Sequence, residues 1–267
     1  MRVVHDDPVS YILRDGWHDP DARAAELPLN GLLGRALELR FEGAINCVAC
    51  GRAVKKTFNQ GFCFPCSQTR AAADICMVKP ELCHYFEDGN PCRDEAFAQA
   101  RCFQPHVLYV SLTSGLKVGI TRKPNVPSRW IDQGAVRAIP LAELPSRREV
   151  GLVEHELAQV FDDRTHWMRM LKEERPEGDL AEMAEQVLDE LEEMGVAELD
   201  EDARVEHVFR YPVLAYPEKV ASHNLDKAPT AGGVLQGIKG QYLIFDTGVI
   251  NLRKFSGYRV AVHGEAP

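Results

Sequence analysis

The chain has 267 residues, 45% hydrophobic and 27% charged, with eight cysteines and a formal net charge of −9. That length can bury a sizeable core and divides naturally into two or three domains. No apolar run approaches the roughly 18 residues of a membrane-spanning helix, and a net-acidic protein is ordinarily a poor partner for nucleic acid. The charge is unevenly distributed, however. Residues 173–202 hold fourteen Asp/Glu and one Arg, a local −13, so the other 237 residues carry +4.

The N-terminus MRVVHDDPVS lacks a basic stretch followed by an apolar one, so no signal peptide is expected. Turn formers crowd residues 1–35 (Asp19-Pro20, Pro28, Asn30-Gly31, Gly34). Leu37, Leu39 and Phe41 then alternate with Glu38, Arg40 and Glu42, the period of a half-buried strand. All eight cysteines fall between Cys47 and Cys102. Without an export signal the expected compartment is the reducing cytoplasm, where clustered thiols bind metal more often than they form disulfides. From 106 the pattern is α/β. Val107–Ser111 and Leu116–Ile120 read as strands around a turn at Thr113-Ser114-Gly115, and Asn125-Val126-Pro127 opens a helix carrying Arg129 and Trp130. A second helix spans about Ser146–Phe161 with Val150, Val153, Leu157, Val160 and Phe161 as its apolar stripe. Leu180, Met183, Val187, Leu191 and Met194 give the acidic segment helical spacing. Its acid is read as the solvated face of an amphipathic helix, with docking of a basic protein partner as the alternative. From 232 to 262 short apolar strands are broken by glycines, and Asp246-Thr247-Gly248 marks a hairpin. This is an antiparallel β module, and the Leu37–Phe41 strand is expected to pair with it.

Cys47-Val48-Ala49-Cys50 and Cys63-Phe64-Pro65-Cys66 are two C-x2-C knuckles, each offering two thiolates from a tight turn. Together they close a tetrahedral zinc shell with no open position, the mark of a structural site. Cys76, Cys83, Cys92 and Cys102 follow no common zinc spacing, but four thiols within 27 residues predict a second structural zinc, with His84 as the variant ligand. The first loop carries Lys55, Lys56 and Phe58, and the β module carries Lys239, Arg253 and Lys254 among aromatics. Such mixtures suit phosphate contact and base stacking, although a small β module needs aromatics for its core in any case. No phosphate loop, nucleophile elbow or H-E-x-x-H pair is present.

The run 106-HVLYVSLTSGLKVGITRKPNVPSRWIDQGA-135 with 151-GLVEHELAQVF-161 resembles a divergent GIY-YIG nuclease domain, a small three-stranded sheet flanked by helices. The cysteine-rich start and the closing GIKGQYLIFDTGVINLRKFSGY extend a wider likeness to a bacterial family, domain-of-unknown-function family 2797. The nuclease resemblance implies a phosphodiester hydrolase using one Mg²⁺ or Mn²⁺. Tyr109 stands for the first tyrosine, Lys117 for the second, Arg129 for the helix arginine and Glu154 for the metal-binding glutamate. Val107 and Lys117 depart from the motif. Helical periodicity alone does not separate Glu154 from Glu156; only the resemblance selects Glu154. Asp162, Asp163, His166 and Trp167 at the helix end either extend a groove or cap the helix.

The fold class expected is therefore α+β in five segments. Residues 1–46 are an N-terminal segment whose strand joins the C-terminal module, and 47–105 a zinc-binding domain. Residues 106–171 form a GIY-YIG-like α/β domain, 172–203 the acidic helix and 204–267 the β module. The expected function is nucleic-acid processing on DNA or RNA. The alternatives are a non-catalytic nucleic-acid-binding protein on the same scaffold and a protein–protein adaptor.

Overall fold

The computed structural model describes residues 1–14, 26–87, 89, 91–161, 165–172 and 177–264. The Asp19-Pro20 turn, Asp162, Asp163 and the first residues of the acidic run lie outside these. In chain order the elements begin with strands β1 Arg2–Val4, β2 Ser10–Arg14, β3 Glu26–Pro28, β4 Ala36–Asn46 and β5 Ala53–Val54, then helices α1 Phe64–Thr69 and α2 Glu95–Arg101. They continue with β6 His106–Leu112, β7 Leu116–Arg122, α3 Ser128–Asp132, β8 Arg137–Leu144, α4 Arg147–Leu157, α5 Trp167–Lys172, α6 Leu180–Glu193 and β9 His207–Val208. The chain closes with β10 Thr230–Lys239, β11 Tyr242–Phe245, β12 Gly248–Asn251 and β13 Tyr258–Gly264. No helix among the described residues is long and apolar enough to cross a membrane.

The chain divides into two compact units. One comprises Met1–Gln68, Leu171–Glu174 and Phe209–Pro267; the other comprises Thr69–Met170 and Arg175–Val208. The boundary at Gln68 cuts the cysteine-rich segment, so the two C-x2-C knuckles belong with the terminal β module and the remaining four cysteines with the α/β unit.

In the first unit the long strand β4 lies between β10 and β13 in a sheet ordered β12-β11-β10-β4-β13, with β5 paired to β4. Leu37, Leu39 and Ile45 of β4 are buried while Ala36, Arg40 and Glu42 face out, as period-2 alternation requires. Phe245 pairs with Gly248, leaving Asp246-Thr247 as a two-residue hairpin loop. A separate antiparallel sheet, β1-β2-β3, comes from the turn-rich N-terminus.

The second unit is built on the antiparallel sheet β7-β6-β8-β9. Strand β8 was not anticipated from the sequence because Pro140 interrupts it. The proline, which has no amide hydrogen to give, sits where the β6–β8 register shifts between Leu108 and Tyr109, the position at which a ladder tolerates it. Leu108, Val110, Leu112 and Val118 share one core with Val150 and Leu157 of α4 and with Leu180, Met183, Val187 and Leu191 of α6. The acidic helix is thus an integral layer of this unit, its apolar stripe buried and its carboxylates outward. The Asp179 carboxylate caps its first turn by accepting from the Ala181 and Glu182 amides at 3.0 and 3.1 Å, worth about 1 kcal/mol. Helix α4 starts in the same manner: the Glu149 amide donates to Ser146 Oγ at 3.2 Å. At Gly151 a Cβ would lie 2.2 Å from Pro80 Cβ. Only glycine lets the 3-10 turn Pro80–Leu82, which leads into Cys83, press this closely against α4.

Candidate metal centre and active site

The two knuckles bring Cys47, Cys50, Cys63 and Cys66 together with every sulfur within 4.8 Å of the others. Cys50 and Cys63 Sγ are 3.8 Å apart, close to the edge of a ZnS4 tetrahedron with Zn–S near 2.3 Å. Backbone amides aim at the sulfurs: Cys63 N donates to Cys47 Sγ at 3.1 Å and Ala49 N at 3.4 Å. Burial alone would raise the Cys47 thiol, but the amides of Cys63, Ala49 and Cys50 outweigh it and bring it down to about 6. Cys47 is poised as thiolate, and the set can hold a metal ion such as zinc. Val54 and Phe62 pack against the buried Cys47, Cys63 and Cys66, while Cys50 lies at the surface.

The second cysteine set is different. Cys76, Cys83, Cys92 and Cys102 line one pocket in the α/β unit, together with Asp74 and His84. Among the described residues, only the first set gathers three or more ligand atoms within 4.8 Å. Burial pushes the Cys76 thiol up to about 12, with the charges of Asp74, Cys83 and Cys102 adding to it, and burial raises Cys102 as well. Cys76 and Cys102 therefore rest as thiols rather than thiolates. The buried Asp74 carboxylate accepts from Arg93 Nε at 2.9 Å, with His84 Nε2 at 3.4 Å. His84, the variant ligand, is thereby engaged by a carboxylate.

On the α/β unit the register pairs Tyr109 with Gly119 and Ser111 with Lys117, so these four project from one face of the sheet. Tyr109 is wholly buried and Lys117 nearly so. A Cβ on Gly119 would lie 2.8 Å from Tyr109 Oη; the glycine makes room for the ring. The Trp130 ring of α3 meets Tyr109 edge-on, with centroids 5.4 Å apart, and the phenol donates to Gln133 Oε1 at 2.9 Å. Burial is the main reason the phenol is pushed up to about 12. Glu154 adds to the shift, while the Arg129 charge and its hydrogen bond oppose it. Arg129 and Glu154 thus both act electrostatically on Tyr109. Glu154 is half-buried, whereas Glu156 is exposed and accepts from Gln159 Nε2 at 2.7 Å, a separation that periodicity did not provide. Trp167 is at the surface, and the His166 amide donates to Ser114 Oγ at 2.8 Å.

Two participants were not legible in the sequence. Gln133 reaches Tyr109 from the end of α3, and Arg147 lies at the start of α4. Arg147 gives its amide to Cys102 O at 2.8 Å and its guanidinium to Met77 O at 2.7 Å. Burial lowers its pKa and the Arg129 charge adds to that, while Cys102, Glu154 and Cys76 oppose. Arg147 therefore senses both the second cysteine pocket and the Tyr109 neighbourhood. Neither residue stands in a motif; a helix-capping Ser-x-x-Glu beginning at Ser146 marks only where Arg147 falls.

In the first unit Lys55, Lys56, Arg253 and Lys254 are exposed. Lys239 is not: it is fully buried, with its ammonium 5.2 and 5.5 Å from the Tyr216 and Tyr211 ring centroids. As a nucleic-acid contact it is corrected. Its place at the inner end of β10, among aromatic rings, makes it an internal cation.

No curated protein and no solved structure significantly matches the chain. A family model described as "Protein of unknown function (DUF2797)" matches residues 34–260. That stretch runs from the lead-in to β4, through the knuckles and the Tyr109 strand pair, to β13, and takes in both units. The chain belongs to the DUF2797 family.

Proposed function

We propose that this protein is a zinc-stabilised nucleic-acid-processing protein whose α/β unit is a GIY-YIG-type phosphodiester hydrolase. The observation that carries the reading is that Arg129 of α3 and Glu154 of α4 both act electrostatically on the buried Tyr109 phenol of β6. Glu154, half-buried and acting on Arg147, is the carboxylate that would hold Mg²⁺ or Mn²⁺. A bound divalent cation supplies neutralisation of the charge that grows on the scissile phosphate and leaving oxygen. Arg129 clamps a non-bridging phosphate oxygen by charge-assisted hydrogen bonds. Tyr109 rests as a neutral phenol, so removing its proton requires positive charge close by; Arg129 already acts in that direction. Lys117, on the same face of the sheet, adds a second cation. The first cysteine set takes the structural zinc. The second set would take another ion only if its thiols lose their protons and converge.

A second reading, a non-catalytic nucleic-acid-binding scaffold, is favoured by one observation: Tyr109 and Lys117 are buried in the free protein. Labelled DNA and RNA substrates incubated with Mg²⁺ or Mn²⁺ separate the two. Metal-dependent cleavage that Glu154→Ala abolishes and Tyr109→Phe strongly reduces supports the hydrolase. Binding without cleavage selects the scaffold. Cleavage surviving intact in both variants refutes the assigned roles. The adaptor reading, in which the outer face of α6 docks a basic protein, requires that nucleic acid not bind at all.

A further inference from the structure

The acidity of the chain conceals two stretches that contain no carboxylate side chain; of their cations, Arg259 is paired with Glu42 of β4 at 3.7 Å. Residues 47–68 hold Arg52, Lys55 and Lys56 with no Asp or Glu, and residues 247–264 hold Arg253, Lys254 and Arg259, again with none, in a chain of net charge −9. The first unit joins the two stretches. Arg253 Nε donates to Gln60 Oε1 at 2.9 Å, and the Asn46 amide donates to Gly257 O at 2.7 Å. Cations from the metal knuckle and from the turn after β12 thus border one another. On the knuckle stands Phe64, 59% exposed. It directly follows Cys63, and Cys66 lies two residues on, so both flanks of its backbone are tied to the metal centre. The Phe58 ring supports it edge-on at 5.6 Å between centroids, and Lys56 Nζ lies 5.1 Å from the Phe58 centroid.

A largely exposed ring on a mount fixed by two ligand cysteines, with Lys56 against the ring that backs it and further cations on the adjoining turn, has the composition of a stacking site. Cations meet phosphates and the ring meets a base face. A duplex keeps its base faces stacked on one another, so a ring of this kind recognises bases only in an unpaired strand. We propose that Phe64, backed by Phe58 and flanked by Lys55, Lys56, Arg253 and Lys254, is a base-stacking platform for single-stranded nucleic acid. The proposal rests on the nucleic-acid reading above and specifies its substrate class.

The test is binding by the full-length, zinc-loaded protein in Mg²⁺-free buffer, so that cleavage plays no part. The probes are labelled single-stranded DNA and RNA, the matching duplexes, an abasic strand of equal phosphate number and phosphatidylserine vesicles. Single strands are expected to bind most tightly. Phe64→Leu, checked for unchanged zinc content, is expected to weaken them by about 5- to 150-fold, the range for loss of one base–aromatic stack, and to leave the abasic strand unaffected. Lys55→Gln with Lys254→Gln should weaken every nucleic acid and flatten the salt dependence by about 1.4 in log–log slope. Equal affinity for duplex and single strand, or a Phe64→Leu protein that binds like the parent, overturns the platform while leaving the broader reading standing. Preference for vesicles overturns it in favour of a lipid surface. No binding to any nucleic acid overturns both readings.

Discussion

Gly119→Ala tests whether the Tyr109 ring is held where the structure puts it. A methyl group at 119 would sit 2.8 Å from Tyr109 Oη and 2.9 Å from Cζ, where ordinary contact begins at 3.4 Å. The ring has nowhere to retreat. It is wholly buried, met edge-on by Trp130, itself 0% exposed, and anchored through its hydroxyl to Gln133. Overpacking of this kind costs about 1–3 kcal/mol, and forcing the phenol off Gln133 adds about 1 kcal/mol. The smaller freedom of alanine in the unfolded chain returns about 0.4–1 kcal/mol. The expected net loss is about 1–3 kcal/mol, or roughly 3–10 °C in Tm for a chain of this size. Trp130 fluorescence, followed on heating in a chain with Trp17 and Trp167 replaced by Phe, reads the α/β unit directly. Tyr109→Leu in the same background removes the ring that the methyl meets. The double variant should therefore recover at least about 1 kcal/mol relative to the sum of the single effects. A Gly119→Ala protein within about 0.5 kcal/mol of its parent, or strict additivity with Tyr109→Leu, would show that the ring is not confined as described.

Three further outcomes follow from the same structure. Cobalt substituted into the Cys47, Cys50, Cys63 and Cys66 set should give a tetrahedral thiolate absorption spectrum that Cys63→Ser eliminates; an octahedral spectrum would contradict the closed sulfur shell. His106 is buried with no hydrogen-bond partner for Nε2 among the described residues, and its other ring nitrogen lies 2.6 Å from Gln104 O. Burial, with Arg147 and Arg122 adding to it, holds its pKa at about 4. Between pH 6.5 and 4 the unfolded chain binds a proton that the folded one refuses, so stability should fall across that window by up to roughly 3 kcal/mol. His106→Gln should flatten this slope in urea titrations, and an unchanged slope would place the protonation elsewhere. Asp74→Asn should cost about 1–2 kcal/mol in chemical denaturation, because the buried carboxylate loses its charge-assisted bond to the partly exposed Arg93; no measurable loss would mean the ion pair is fully solvent-screened.

The cysteine knuckles, the β6–β7 strand pair and the amphipathic character of α6 were readable because each is local. Two thiolates three residues apart, strand alternation and helical periodicity are properties of short windows. The strand containing Pro140 was not readable, since its tolerance of proline depends on a register shift against β6 that no window contains. The N-terminal sheet escaped for a similar reason: three short strands among turn formers carry too little alternation to stand out. Lys239 was misread because a basic residue in a β-rich stretch is ordinarily at the surface. Here it is enclosed by Tyr211 and Tyr216, more than twenty residues away in the chain.

The net charge illustrates the same division. From the sequence alone it follows that the acid is concentrated between 173 and 202 and that the remainder is mildly basic. Only the tertiary structure decides that α6 buries its apolar stripe in the α/β core, and that the two acid-free stretches of the first unit border one another. The choice between Glu154 and Glu156, and the presence of Gln133 and Arg147 near Tyr109, are likewise tertiary. Periodicity specifies which residues share a helix face, but the burial and charge that a side chain meets are set by whatever the rest of the chain packs against that face.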